Sequence, residues 1–149
     1  MNKARFLLWL PPPAIAALVA GLMWLLPQGH DFWPRWLAVG PLLAGIGIML
    51  LAAVTMSRAN TTLLPFTPER ASSLVTTGVF GYSRNPIYLG DALLLLAWAL
   101  WLQSVPALLG LMVFVAYMNR VQIAAEERAL TLRFGQAYTD YCARVRRWL

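Results

Sequence analysis

The sequence predicts an all-α integral membrane protein of four transmembrane helices, with a C-terminal helical hairpin and a cytoplasmic amphipathic end helix. Three observations predict it. Of the 149 residues, 60% are apolar and only 12% are charged, a balance too apolar for an ordinary soluble domain. Uncharged stretches recur at about the 20 residues needed to cross a hydrocarbon core of roughly 30 Å. The basic residues fall almost entirely on one side of the layout those stretches imply.

The first predicted span covers residues 6–26 and the second 36–56, each uncharged and flanked by charged or turn-forming residues. Lys3 and Arg5 before an apolar run also resemble a signal peptide, but Pro11, Pro12 and Pro13 cut that run early, and the expectation is a retained helix. Gly40, Ala44, Gly45 and Gly47 in the second span supply small residues for close helix packing, with Pro41 as a candidate kink. A polar stretch follows, then spans 86–102 and 105–125, separated by Gln103, Ser104 and Pro106. That break reads as a tight hairpin, with Pro106 in the first turn of the fourth helix. Trp33, Trp36, Trp98 and Trp101 lie near the outer span ends, where aromatic rings anchor at headgroup level.

In this layout the N-terminus, the 57–85 loop and the C-terminal tail carry nearly all of the lysine and arginine, while Arg35 lies opposite. Both termini are therefore expected in the cytoplasm, in the plasma or inner membrane if the source is prokaryotic. The net charge of +6 does not point to nucleic acid, because the arginines lie beside apolar spans and suit anionic lipid headgroups instead. Cys142 is the only cysteine, which excludes an intrachain disulfide and a cysteine-based zinc cluster; no metal site is expected. The chain reads as one domain, 1–149, with no internal repeat.

The informative part is the end of the long 57–85 loop. In Gly81-Tyr82-Ser83-Arg84-Asn85-Pro86-Ile87-Tyr88, Asn85 is placed to cap a helix and Pro86 to begin it, so free amides and Arg84 together suit an anion. The fourth helix is expected to run on to Phe134, with Gly135 as its stop. Near its end, Glu126 and Glu127 have no lysine or arginine three or four residues away, so intrahelical ion pairing does not account for them. Adjacent helical residues diverge by about 100°, so one of the two faces a ligand and the other is free to hold Arg84 or a tail arginine. The alternative is a pair of solvated carboxylates on an exposed turn. Tyr138, Tyr141, Cys142, Val145, Trp148 and Leu149 then recur at helical spacing, predicting an amphipathic interfacial helix.

Leu74-Val75-Thr76-Thr77-Gly78, Tyr82-Ser83-Arg84-Asn85-Pro86-Ile87-Tyr88-Leu89-Gly90, Glu126-Glu127 and Phe134-Gly135-Gln136-Ala137-Tyr138 together resemble the isoprenylcysteine carboxyl methyltransferase and phospholipid methyltransferase superfamily. The resemblance covers roughly residues 60–149, and its specificity lies in the order and spacing of the pieces. It implies an enzyme using S-adenosylmethionine, with the cofactor part at about 74–149. It also implies cofactor-binding roles for Arg84, Asn85, Pro86, Tyr88, Leu89, Glu126, Glu127 and Tyr138, and catalytic roles for Arg84, Glu127 and Tyr88. Family members commonly carry His where this chain has Asn85; an amide can still hydrogen-bond or cap the helix. The implied partners are membrane lipid and a hydrophobic small-molecule acceptor, methylated on a carboxylate or an amine. His30 falls on the far side of the membrane in this layout. The rival expectations are an NADPH-dependent membrane reductase of the steroid-reductase type, for which the chain is short, and a non-catalytic transport or assembly protein. Transport predicts ionisable groups near mid-bilayer, and only Asp91 approaches it.

Overall fold

The computed structural model describes residues 11–29, 33–59 and 73–149, and among them every regular element is helical. Helix α1 is Pro12–Trp24 and α2 is Val39–Arg58, the latter entered through a 3-10 turn at Arg35–Ala38. A second 3-10 turn at Gly78–Gly81 precedes α3, Pro86–Trp101. Helix α4, Ala107–Tyr117, passes through a π turn at Met118–Gln122 directly into α5, Ile123–Phe134, and α6 is Gln136–Arg144.

Two of these stretches are long and apolar enough to cross a membrane, Arg35–Arg58 and Ala107–Phe134. The helices at the other two expected spans, Pro12–Trp24 and Pro86–Trp101, are shorter. At 1.5 Å per residue the 16 residues of α3 reach about 24 Å, short of a hydrocarbon core on their own. The expected first span begins at residue 6, and residues 1–10 lie outside the described residues, as do His30 and residues 60–72 of the long loop. The exterior is nonetheless apolar: Leu43, Leu50 and Leu51 on α2 and Leu109, Met112 and Val113 on α4 are all exposed.

The interior joins α1, α3 and the α4–α5 rod through Ile15, Met23, Leu95, Ala99, Phe114, Met118 and Ile123. Helix α2 lies against α3 through two glycines. A Cβ added at Gly45 would sit 3.0 Å from the Gly90 carbonyl oxygen and 3.2 Å from Cβ of Leu93, whereas Gly40 and Gly47 face open space. Of the expected small-residue stripe, Gly45 therefore marks the close crossing, and α2 runs unbroken through Pro41.

The hairpin between α3 and α4 forms where Gln103, Ser104 and Pro106 predict it. Gln103 takes a positive φ of 51°, Ser104 Oγ accepts from the Ala107 amide at 3.2 Å, and Pro106 precedes the first helical residue. Two of the tryptophans expected at the outer span ends make inward hydrogen bonds. Trp33 Nε1 donates to the Leu100 carbonyl at 2.8 Å and Trp98 Nε1 to the Ala20 carbonyl at 3.1 Å, tying the loop and α1 to α3. Trp36 is exposed, and Trp101 lies under the Arg35 guanidinium at 5.7 Å.

The end helix is shorter than its apolar spacing predicts. Helix α6 stops at Arg144 because Val145 turns extended, with φ −121° and ψ 130°. Val145, Trp148 and Leu149 therefore do not continue an interfacial helix. The tail instead crosses the start of α3, where the Arg84 amide donates to the Arg146 carbonyl at 3.0 Å, and Trp148 packs on the main core. Tyr138 and Tyr141 of α6 are buried against Leu74, Leu130 and Phe134.

The contrast between the α2 glycines is testable. Gly45→Leu should lower stability by about 1–3 kcal/mol through overpacking against α3. Gly47→Leu, which meets nothing and gains helix propensity, should melt at or above the wild-type temperature in the same detergent.

Candidate functional site at the start of helix α3

Three segments converge at one end of the bundle: the turn before α3, the π turn with α5, and the C-terminal tail. Their meeting point is Glu127. Arg84 Nη1 lies 3.1 Å from Glu127 Oε1, while Arg147 grips both carboxylate oxygens, Nε to Oε1 at 3.0 Å and Nη2 to Oε2 at 2.5 Å. This fork-to-carboxylate geometry is the strongest form of side-chain ion pair. Arg84 is 16% exposed and Arg147 36%, so water screens the tail arginine more and the Arg84 contact is the tighter constraint. Hydrogen bonding to Glu127 raises the Arg147 pKa further above the usual arginine value, against the opposing effect of burial.

The turn is fixed from both sides. Pro86 is the first residue of α3, as expected, and is buried. Asn85 occupies the cap position, but its side chain does not cap the helix: Nδ2 donates to the Arg147 carbonyl at 2.9 Å. The buried hydroxyl of Ser83 accepts from the Asn85 amide at 3.1 Å. Asn85 thus spends its amide on the tail, a use that an N-cap expectation does not anticipate.

Glu126 faces elsewhere, into the bundle. Its Oε1 accepts a hydrogen bond from the Tyr88 hydroxyl and one from Gln122 Nε2 at 2.9 Å. The two adjacent glutamates therefore split as their helical phase requires, Glu127 toward arginines and Glu126 toward neutral donors. Leu89 is half-buried beside Tyr88, with its amide bonded to the Asn85 carbonyl at 3.0 Å. Tyr138 sits beside Cys142, within electrostatic reach of Glu127 and Arg84, and burial pushes its phenol up. Burial likewise pushes Tyr141 up to about 12, and its neutral hydroxyl donates to the Phe80 carbonyl at 2.7 Å.

Several members of this arrangement escape sequence reasoning. Arg147 is one of three tail arginines that spacing does not distinguish. Asn119 and Gln122 lie in the π turn, where one extra residue per turn shifts the helical phase. Asn119 Oδ1 accepts from Trp148 Nε1 at 3.0 Å and from Arg147 Nη1 at 3.4 Å, fastening the tail. Cys142 Sγ accepts from Arg84 Nη1 at 2.7 Å. Gln122 alone among them carried a sequence signal that could have found it, since it precedes Glu126 by four residues.

As ionised groups, two arginines around one carboxylate leave an excess positive charge. Glu126, paired with neutral donors, leaves an excess negative charge one residue away. Arg84 Nε is buried without a partner. In chemical terms the arginines can pair with a carboxylate, and an ionised Glu126 can pair with a cation.

An uncharacterised protein of Haemophilus influenzae is 48% identical over 63 residues, which are 42% of this chain and the whole of that protein. No solved structure matches. The model of the phospholipid methyltransferase family matches residues 33–137, which take in α2, the Arg84 turn, α3 and the glutamate pair but stop short of the Arg147 tail. The chain belongs to the phospholipid methyltransferase family, a family of methyltransferases.

Proposed function

We propose that this protein is an integral membrane enzyme that methylates a lipid-like or hydrophobic small molecule from S-adenosylmethionine at the cytoplasmic membrane face. The observation that carries the proposal is the split of charge across Glu126 and Glu127, positive excess on one side and negative on the other, within a methyltransferase family. When bound, S-adenosylmethionine supplies a methyl carbon activated by its sulfonium. Arg84, with its unpaired Nε, and Arg147 would hold the amino-acid carboxylate, and Glu126 would hold a positive group. Tyr88 and Gln122 orient the Glu126 carboxylate for that task. Asn85, Pro86, Leu89 and Tyr138 shape the same end of the bundle, as the family resemblance implies.

Methyl transfer to a nucleophile needs alignment and exclusion of water more than covalent help from the protein. The tail serves both ends by lying across the Arg84 turn and packing a partly buried Trp148 against the core. An open groove of about 560 Å³ along α4, lined by Leu111, Met112, Val115 and Ala116, runs to Asn119 and Arg120. Its apolar length suits the hydrocarbon part of an acceptor that arrives from the bilayer. The four-span topology belongs to this proposal: α1 and α3 are short but apolar, α2 and α4 present apolar side chains outward, and arginines gather at the site end.

Equilibrium binding of S-adenosylhomocysteine to purified protein is the direct test, and well-folded protein that does not bind it rules the proposal out. Arg84→Lys keeps the charge but loses the guanidinium fork. Both it and Glu127→Gln should weaken binding by about 10- to 100-fold, the worth of one or two charge-assisted hydrogen bonds. Circular dichroism melts of both variants check that the bundle persists.

Topology has its own readout. With Cys142→Ser as background, Thr139→Cys places a thiol at an exposed position of α6. A membrane-impermeant thiol reagent should label it in inside-out vesicles and not in intact cells. Labelling in intact cells would reverse the proposed orientation.

A further inference from the structure

Among the described residues, Arg147 is the tail arginine that reaches a carboxylate. Arg144 donates to a backbone carbonyl of its own helix, and Arg146 is exposed. What holds Arg147 apart from its neighbours lies across the tail, on the π turn. Asn119 Oδ1 accepts from the Trp148 indole at 3.0 Å and from Arg147 Nη1 at 3.4 Å. Asn119 thus acts on Arg147 twice, on the guanidinium itself and on its backbone through the next residue. The indole has a single hydrogen to give and an apolar ring packed on the core, so the bond to Asn119 sets where that ring lies.

Counting hydrogens shows what this leaves for a ligand. A guanidinium carries five N–H groups in one plane. Arg147 commits its Nε hydrogen and one of Nη2 to Glu127, and one of Nη1 to Asn119. One hydrogen on Nη1 and one on Nη2 remain, in a plane pinned along one edge by Glu127 and at Nη1 by Asn119. The Arg147 side chain is 36% exposed, and an arginine so placed without these contacts samples many rotamers. A ligand that met it in that state would lose affinity by having to order it. Asn119 does part of that ordering before any ligand arrives.

We infer that Asn119 is a positioning residue: it holds Arg147 in the plane that receives a ligand carboxylate, and so sets how strongly the site favours a ligand that has one. The role of Arg147 toward that carboxylate rests on the cofactor reading above; the hold of Asn119 on Arg147 rests on its contacts with the tail. The two residues are 28 positions apart, and Asn119 lies in the irregular turn whose extra residue shifts the helical phase, so helical spacing in the sequence does not join them.

The test pairs S-adenosylhomocysteine with S-adenosyl-3-thiopropylamine, which differs by lacking the carboxylate, in equilibrium binding to the full chain in phosphatidylcholine nanodiscs. Asn119→Leu and Asn119→Ala should each weaken S-adenosylhomocysteine by about tenfold, the worth of one charge-assisted hydrogen bond, and leave the amine ligand within about twofold. Asn119→Asp keeps an acceptor oxygen in place and should recover most of that loss. Arg147→Ala should lose the same preference, and adding Asn119→Leu to it should change little more, because the asparagine acts through the arginine. Carboxypeptidase Y gives a readout that needs no cofactor: it should release Trp148 and Arg147 about tenfold faster from Asn119→Leu than from wild type or Asn119→Asp. Equal weakening of both ligands overturns the inference by making Asn119 structural. A loss that persists in full on the Arg147→Ala background overturns it too, and so does a carboxypeptidase rate that Asn119→Leu leaves unchanged. Wild-type protein that binds neither ligand but keeps the carboxypeptidase contrast upholds the hold of Asn119 on Arg147 and removes only the cofactor reading.

Discussion

The structure of this end of the molecule depends on one carboxylate placed between two guanidinium groups. Arg84 begins the turn into α3 and Arg147 lies in the last residues of the chain, 63 positions later, and neither tolerates the other without Glu127 between them. Around that contact two further bonds hold the tail: the Arg84 backbone amide to the Arg146 carbonyl, and the Asn85 side-chain Nδ2 to the Arg147 carbonyl. Each is modest alone, worth about 1 kcal/mol. Together they convert a basic tail, which composition alone would assign to lipid headgroups, into a wall of the site. The tail's charges then act at a fixed position instead of as a diffuse cloud.

The neighbouring Glu126 has the opposite arrangement, and the difference comes from geometry more than chemistry. Two glutamates in sequence point about 100° apart on a helix, so one reaches the arginines and the other reaches the interior. The π turn immediately before them sets which is which. It also brings Asn119 to the tail and Gln122 to Glu126. A single irregular turn therefore positions a tail fastener, a donor and both acidic groups, consistent with the frequent use of such turns at sites that bind ligands.

Much of the architecture was legible because it follows from local rules. Pro86 opens α3, Gly135 closes α5 with a positive φ of 53°, and Gln103 to Pro106 break the hairpin, all at positions their residue types dictate. The approach of the Arg84 turn to the glutamate pair was also legible, since carboxylates without local partners must find distant ones. What escaped depends on tertiary context. Apolar spacing from Tyr138 to Leu149 predicts a longer helix, but the Arg84 backbone amide and the Asn85 side-chain amide of the α3 turn compete for the carbonyls of residues 146 and 147 and draw the tail out straight. Asn85 suits a cap by propensity and serves the tail because a carbonyl lies nearer. The π turn has no proline or glycine to announce it. Of the four spans predicted from hydropathy, two are long apolar rods and two are shorter apolar helices; Pro86–Trp101 lies almost at its expected bounds, and the start of the first span lies outside the described residues.

The order of groups along α3 ties these points to function. Charge is densest at the turn into its first residues, where the helix start itself favours an anion. One turn inward the contacts become neutral donors on Glu126, and a further turn inward only unpaired acceptors remain before the apolar run. A bundle selected for stability alone would place leucine at Asp91, since a buried carboxylate oxygen without a donor costs more than it contributes.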